Sequence, residues 1–218
     1  MTASMIALGA DAVGPSVLSG IRVWDGRHDL GTCDLSWDGD AIVAVLPAGS
    51  GAPGVHPDTR SGAGTAGGTG AGFGGGGLVV VPGLVDTHVH LLGFAGGREN
   101  AKGFDTFSWP LVTIREEQTL HAAANAQRAL AAGVTTLRDL GSDEAQAGLA
   151  RVFDGGILPG PRLLAYGPVG MTAGHLDLFT PRAVRDRPPT ADGVDACRAL
   201  VRRWARAGLT GIKIYTSG

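Results

Sequence analysis

Strand-like and helix-like patterns alternate along the chain from residue 78 to its last residue, Gly218. Short apolar runs are followed by longer stretches that carry apolar residues at helical spacing. The predicted elements are a strand from Leu78 that runs towards His90, a helix over 116–132, a strand over 134–140, a helix over 143–153, a strand over 162–166, a helix that ends before Gly208, and a strand over 211–216. This alternation predicts parallel strands joined by crossover helices, either in an open doubly wound sheet or in a (β/α) barrel.

Local signals mark the ends of the predicted helices. Thr113-Ile114-Arg115-Glu116 has the form of a capping box, in which the threonine side chain caps the first turn of the helix. Gly133 stands where a glycine would end that helix, and Gly155-Gly156 follows the second helix in the same way. These signals favour helices of the proposed lengths.

The first 77 residues differ in character from the rest. Aspartate followed by glycine at 25–26 and at 38–39 predicts tight hairpin turns, because both central positions of such a turn favour positive φ. We therefore predict a small β-subdomain over residues 19–60, preceded by a disordered segment over 1–18. Residues 61–77 are dense in glycine and predict a flexible linker to a barrel domain over 78–218.

Composition limits the classes of partner. The chain of 218 residues is 44% hydrophobic and 17% charged with a formal net charge of −2, which fits a folded globular protein. Four arginines cluster late on the last predicted helix, and a solvated helix face explains them; they are Arg198, Arg202, Arg203 and Arg206. The charge pattern gives no support to nucleic-acid binding, and we expect a small-molecule substrate.

Cysteine content and hydropathy bear on location. Cys33 and Cys197 are far apart in the sequence, so neither a disulfide framework nor a cysteine zinc site is predicted. The residues before Ser19 lack the basic start of a signal peptide. No uninterrupted apolar run reaches the roughly 18 residues that a membrane span needs. We therefore expect a cytoplasmic protein that does not act at a membrane.

The apolar strand that begins near Val79 ends in Asp86-Thr87-His88-Val89-His90. Alternate side chains of a strand share one face, so His88 and His90 would direct two imidazoles to one point while Val89 packs the other way. The alternative is that the histidines are structural residues with satisfied hydrogen bonds. Their position at the end of a valine-rich strand favours a metal site, with Asp86 on the same face as an acceptor that orients a ligand.

Lys213 lies between Ile212 and Ile214 in the last predicted strand. If the two isoleucines face the surrounding helices, the lysine points to the other side of the sheet, which in a barrel is the interior. Buried lysines are rare unless paired, and burial favours the neutral amine. A neutral amine can react with carbon dioxide to form a carbamate that bridges two cations. The alternative is a lysine at the sheet edge that extends into water.

Three segments of the chain resemble successive motifs of one enzyme superfamily. They are residues 82–91, 132–141 and 211–218. Their succession is similar to that of the amidohydrolase superfamily, and within it to the imidazolonepropionase-like and Xaa-Pro dipeptidase-like branches. The resemblance covers residues 19–218. It implies an α/β protein, namely the first half of a (β/α)8 metal-dependent hydrolase barrel preceded by a small β-subdomain.

The resemblance also implies roles for single residues. His88 and His90 would be ligands of the more buried metal, and Lys213, as its carbamate, would bridge to a second metal. One or two divalent ions are expected, and these ligands suit zinc but also manganese, iron or nickel. The implied reaction is hydrolysis of a carbon–nitrogen bond in an amide, cyclic amide or dipeptide-like substrate by a metal-bound hydroxide.

Two more residues have a weaker basis for a role. His175 follows Gly174 in a stretch that resembles a substrate-facing loop of related enzymes, and an ordinary polar loop position explains it equally well. Asp139 ends a predicted strand, and it fits an orienting or helix-entry residue better than a ligand.

The family pattern continues past the last residue given. Residues 78–218 fall well short of the roughly 250 residues of a typical barrel, and two further histidine ligands and a proton-handling aspartate are expected beyond Gly218. We therefore expect a C-terminally truncated chain that binds metal weakly and shows no appreciable hydrolysis by itself. One alternative is a non-catalytic product that pairs its open sheet edge with another chain, for instance in a homo-oligomer. Another is a metallo-esterase on the same scaffold.

Overall fold

The computed structural model describes residues 16–50, 72–74, 77–96, 109–170 and 190–214. The chain divides into two compact units, the first ending at Pro82 and the second beginning at Gly83. The single strand expected from Leu78 to His90 is therefore split, since Val79–Val80 belongs to the first unit and Leu84–Val89 to the second. The break falls at Pro82, which has no amide hydrogen to donate to a neighbouring strand.

The first unit contains a sheet of five strands among the described residues. They are β1 (Ser16–Trp24), β2 (Asp29–Asp38), β3 (Ala41–Pro47), β4 (Gly72–Gly74) and β5 (Val79–Val80). β2 pairs antiparallel with β1 and β3, whereas β4 and β5 both pair parallel with β1. Ile21, Val23, Cys33 and Leu35 form the buried core of this unit. The small separate sheet that the sequence predicts is present.

Two expectations for this unit differ from the structure. Residues 16–18 lie in the segment expected to be disordered but belong to β1, and Gly72–Gly74 lies in the expected linker but forms β4. Leu18 is in register with Phe73, and the pairing uses backbone groups that glycine carries like any other residue. A glycine-rich composition therefore predicts little side-chain packing, and it does not exclude strand pairing.

The second unit alternates strands and helices, as predicted. Its elements are β6 (Leu84–Val89), α1 (Trp109–Val112), α2 (Arg115–Ala131), β7 (Val134–Asp139), α3 (Glu144–Asp154), β8 (Arg162–Val169), α4 (Val194–Ala207) and β9 (Gly211–Ile214). The strands form one parallel sheet in the order β6-β7-β8-β9. Parallel neighbours in chain order, connected through helices, make up the first half of a (β/α)8 barrel. The predicted fold class is confirmed.

The helix ends confirm one local signal and contradict another. Gly133 follows α2 with φ of 89°, as predicted for a terminal glycine. The capping box predicted at Thr113 is wrong, because no side chain caps α2 and the Thr113 amide bonds back into α1. A capping box occurs instead on α3, where the Asp143 side chain accepts from the helix backbone and Gln146 accepts from the Asp143 amide.

Helices cover one face of the second sheet. Leu137 and Leu163 of this face pack into a buried cluster with residues of α2 and α3. Trp204 of α4 is 2% exposed and covers the β8–β9 side of the same face. By alternation, Arg138 and Tyr166 lie on the opposite face, and both are half-buried. This opposite face is the one that lines the interior when such a sheet curves into a barrel.

Candidate metal centre

His88 and His90 lie where β6 ends, on the face of the sheet that points away from the helices. Val89 between them packs against the cluster formed with α2 and α3, as alternation predicts. The two imidazole centroids are 5.4 Å apart, and the rings meet edge to face at 61°. Both residues are exposed, so an ion can reach them from solvent.

The spacing of the two rings fits a shared divalent ion. With metal–nitrogen bonds of about 2.0–2.1 Å and a tetrahedral angle of about 109°, two coordinated imidazoles have centroids about 5 Å apart. The observed distance of 5.4 Å agrees with this value. Imidazole nitrogens also suit zinc and other transition ions. Donor chemistry and spacing therefore both fit a metal ion at this pair.

Asp86 contacts the backbone of one histidine. Its Oδ1 accepts a hydrogen bond from the backbone amide of His88 at 3.0 Å. The carboxylate thus fixes the main chain from which that imidazole extends. Its predicted role as an acceptor that orients a ligand ring stays a prediction.

His90 is packed against the turn that follows β7. A Cβ built on Gly141 would lie 2.7 Å from Nδ1 of His90, so the imidazole occupies the space that a side chain at 141 would need. The amide of Leu140 also donates to the Val89 carbonyl at 3.0 Å. Sequence reasoning did not identify Gly141, because a single glycine after a strand carries no sign of which ring it accommodates.

Asp139 is a buried carboxylate close to His90. It is 1% exposed, and it accepts hydrogen bonds from the amides of Gly141 at 2.9 Å and of Leu91 at 3.4 Å. Burial raises the pKa of the Asp139 carboxyl, although these two hydrogen bonds and the nearby His90 imidazole oppose the shift. The carboxylate therefore fastens the backbone that follows His90 to the end of β7, which is compatible with an orienting role.

Lys213 lies on β9 in register with Pro168 of β8, and it is half-buried. Ile212 packs against the cluster around Trp204, so alternation places Lys213 on the same face as the histidines, whereas Ile214 is 63% exposed. β6 and β9 are the outer strands of this sheet, and three strand spacings of about 4.8 Å separate them along it. Convergence of Lys213 with the histidines depends on curvature of the sheet and stays a prediction.

Within the described residues, no further histidine, cysteine, aspartate or glutamate joins His88 and His90 as a metal ligand. No group of three or more histidine, cysteine, aspartate or glutamate side chains in this part of the chain is arranged to hold a metal ion. His175, predicted as a substrate contact, lies outside the described residues. The candidate centre therefore consists of His88 and His90 with their supporting groups.

The segment after His90 is fastened to helix α2. Asn125 donates from Nδ2 to the carbonyls of Leu91 and Gly93, both at 3.1 Å, and the Ala95 amide donates to Nδ1 of His121 at 2.9 Å. His121 and Asn125 are four residues apart and so lie on one face of the helix. Sequence reasoning identified neither residue. Two polar residues four positions apart on the helix that follows the histidine strand are nevertheless a signal that the helix binds that segment.

The sequence model of the amidohydrolase family matches residues 79–217, which is more than half of the chain. The chain belongs to the amidohydrolase family. The match includes both histidines and Lys213, and it confirms the resemblance found in the sequence motifs. None of the curated proteins compared with this amidohydrolase chain matches it significantly.

Several solved structures share the fold of this chain. An Xaa-Pro dipeptidase with methionine bound in its active site is 25% identical with a TM-score of 0.68, and the similarity covers 94% of this chain and 48% of that one. The ochratoxinase of A. niger is 21% identical with a TM-score of 0.70, over 94% of this chain and 47% of that one. A prolidase complexed with N-methylphosphonate-L-proline is 23% identical with a TM-score of 0.64, and the similarity covers 94% of this chain and 47% of that one.

The amidohydrolase chain thus spans about half the length of the solved structures it matches. The matched half contains the small sheet and the first four strands of the barrel. In the described residues of this half, no helix is both long and apolar enough to cross a membrane.

Proposed function

We propose that this chain is the N-terminal half of a metal-dependent hydrolase that cleaves carbon–nitrogen bonds in amides, cyclic amides or dipeptide-like molecules. The observation that carries the proposal is the His88–His90 pair, whose ring centroids are 5.4 Å apart at the end of the first barrel strand. Membership of the amidohydrolase family supports it. The similarity to an Xaa-Pro dipeptidase makes Xaa-Pro dipeptides the first substrates to test.

In this proposal His88 and His90 hold a divalent ion, with zinc as the first choice. When bound, such an ion lowers the pKa of a water molecule and polarises a carbonyl group. Lys213, as its carbamate, would bridge to a second ion, and His175 would contact the substrate. Asp86 and the groups around His90 keep the ligand strand in place.

Metal binding is tested by cobalt(II) titration of the 218-residue chain, followed by NMR of its six histidines. We expect the ring signals of His88 and His90 to broaden first and together. His88→Ala should abolish this response, whereas His28→Ala, at an exposed histidine of the other unit, should leave it unchanged. Equal cobalt binding by His88→Ala and the wild type would refute the proposal.

The carbamate at Lys213 has its own test. Carbon NMR with labelled bicarbonate should show a carbamate signal in the wild-type chain, and Lys213→Arg, which keeps the charge but cannot form the carbamate, should lack it. A signal that persists in Lys213→Arg would place the modification on another amine. Ester cleavage without any amide cleavage by the complete, metal-loaded protein would favour the metallo-esterase alternative.

A second candidate function is association with another chain through the outer strands of the barrel sheet. Leu84 and Val85 of β6 are 55% and 60% exposed, and Ile214 of β9 is 63% exposed. Apolar residues on open strand edges favour pairing with further strands. Light scattering on the purified chain would show a discrete dimer if this candidate is correct, and a monomer would count against it.

A further inference from the structure

The strand that carries the two histidines is irregular where it carries them. Between its paired residues Asp86 and Val89, β6 advances three residues while β7 advances two. Thr87 and His88 lie in this extra length. A bulge of this kind redirects side chains and leaves backbone groups without a partner in the ladder, and bulges are common beside active sites.

Side chains bind both hydrogen-bonding groups of one peptide unit in this bulge. Arg138 of β7 donates from Nε to the Thr87 carbonyl at 2.7 Å, and Asp86 accepts from the His88 amide at 3.0 Å. A hydrogen bond from a charged donor is stronger than one between neutral groups. Arg138 therefore fixes the peptide unit that joins Thr87 to the ligand His88.

The guanidinium of Arg138 is itself supported from the next strand. Its Cζ lies 5.5 Å from the ring centroid of Tyr166 on β8, which is within the range of a cation–π contact. The Tyr166 ring in turn lies over Gly211 of β9, where a Cβ would overlap it. Contacts therefore run across the sheet from the bulge of β6 to the strand that carries Lys213.

We propose that Arg138 is a positioning residue, whose guanidinium, supported by Tyr166, sets the bulge of β6 and thereby the spacing of His88 and His90. The inference rests on the proposed function, because it concerns how that metal pair is held. A positioning role and a simple charge effect predict opposite changes in metal affinity when Arg138 is replaced. A cation near a metal site repels the metal, so removing the charge alone would tighten binding, whereas loss of the bulge geometry weakens it.

Two substitutions separate position from charge. Arg138→Met removes the cation and the Nε donor while keeping an unbranched side chain, and Arg138→Lys keeps a cation but lacks the planar donor group and its stacking on the ring. We expect both to weaken cobalt(II) binding at the histidine pair by about 10–100-fold, the usual effect of losing a group that orients ligands. The control is Arg162→Met at an exposed arginine of β8, which should bind cobalt like the wild type.

The readouts are the NMR broadening of His88 and His90 during the titration and urea unfolding of the metal-free chain. Failure of the wild type to bind cobalt at this pair would refute the proposed function itself. If the wild type binds and Arg138→Met binds equally or more tightly, the inference is overturned while the proposed function stands. A loss of affinity that merely follows a loss of folding stability, and is restored by stabilising salt, would also overturn it.

Tyr166 provides a second test if the Arg138 variants do not fold. Tyr166→Leu leaves Arg138 in place but removes the ring beside its guanidinium, and we expect weaker cobalt binding. Tyr166→Phe keeps the ring and should retain more of the affinity than Tyr166→Leu. Equal affinities of the two variants would overturn the role given to the ring in holding Arg138.

Discussion

Gly141→Ala tests whether the His90 imidazole must stay where the structure places it. The new Cβ would lie 2.7 Å from Nδ1 and 3.3 Å from Cε1 of His90. Since an ordinary contact between such atoms is about 3.5 Å, the ring would have to move by about 0.8 Å. Gly141 does not have a positive φ, so its backbone conformation suits alanine and the effect falls on the histidine.

A displacement of about 0.8 Å exceeds the roughly 0.5 Å within which functional groups must be held. We therefore expect Gly141→Ala to weaken metal binding about tenfold or more, which corresponds to at least about 1.4 kcal/mol. The free energy of unfolding should change little. Replacing glycine by alanine ordinarily adds about 0.4–1 kcal/mol by restricting the unfolded chain, and this gain offsets the strain of shifting one ring.

Cobalt(II) titration and urea unfolding of the metal-free chain measure the two effects separately. Gly148→Ala is the matched control, because the nearest atom to its new Cβ is Nη2 of Arg151 at 3.8 Å. This variant should gain up to about 1 kcal/mol from helix propensity and keep the wild-type cobalt affinity. Wild-type affinity in Gly141→Ala, or a loss that Gly148→Ala shares, would refute the reasoning.

Three further predictions concern stability, measured by urea unfolding. Asn125→Asp keeps the shape of the side chain but cannot donate to the two carbonyls of the segment after His90, so it should lose about 1–3 kcal/mol; no loss would show that the two contacts do not hold the segment. Trp204→Phe removes the Nε1 donor to a backbone carbonyl at a site that is 2% exposed, and it should also lose about 1–3 kcal/mol. The pKa of the Glu144 carboxyl is lowered from its ordinary value by its own backbone amide and by Arg203. Its ionised form therefore stabilises the fold above the unfolded pKa, and this contribution is lost as the pH falls through the lower folded value. Because this side chain is 50% exposed, Glu144→Gln should lose only a few tenths of a kcal/mol at neutral pH, and its difference from the wild type should vanish in acid.

Features that depend on local sequence are the ones that the sequence predicts well. The apolar residues of α4 recur at helical spacing, and the helix ends at Gly208 with φ of 89°, as predicted. The alternation of strand and helix in the second unit can also be predicted from short segments of the sequence. Each of these signals involves residues within a few positions of one another, so no knowledge of the fold is needed to read it.

Features that depend on a partner strand were predicted poorly. β8 continues to Val169, beyond the end expected at Tyr166, because β9 pairs with its last residues. β4 forms in a glycine-rich segment because β1 offers backbone groups to it. In both cases the deciding hydrogen bonds join residues that are distant in sequence, and no short window contains them.

The candidate metal centre also has one feature set by local sequence and others set by a neighbouring strand. That His88 and His90 share one side while Val89 packs the other way is foreseeable from alternation over these three consecutive residues. The contacts that support the two histidines cannot be foreseen in this way, because Arg138 and the Thr87 carbonyl that it binds are 51 residues apart. The extra residue of β6 is equally invisible in the sequence, since a bulge is defined only against the strand beside it.

The support for the histidines is nevertheless concentrated on one neighbouring strand. Within four consecutive residues at the end of β7, Arg138 binds the carbonyl before His88, Asp139 binds the backbone after His90, and Gly141 leaves room for the His90 ring. Arg138 and Asp139 reach opposite faces of the sheet, so the ligand strand is held from both sides. A His-X-His segment placed on another barrel strand would therefore lack the geometry seen here unless this β7 segment were transferred with it.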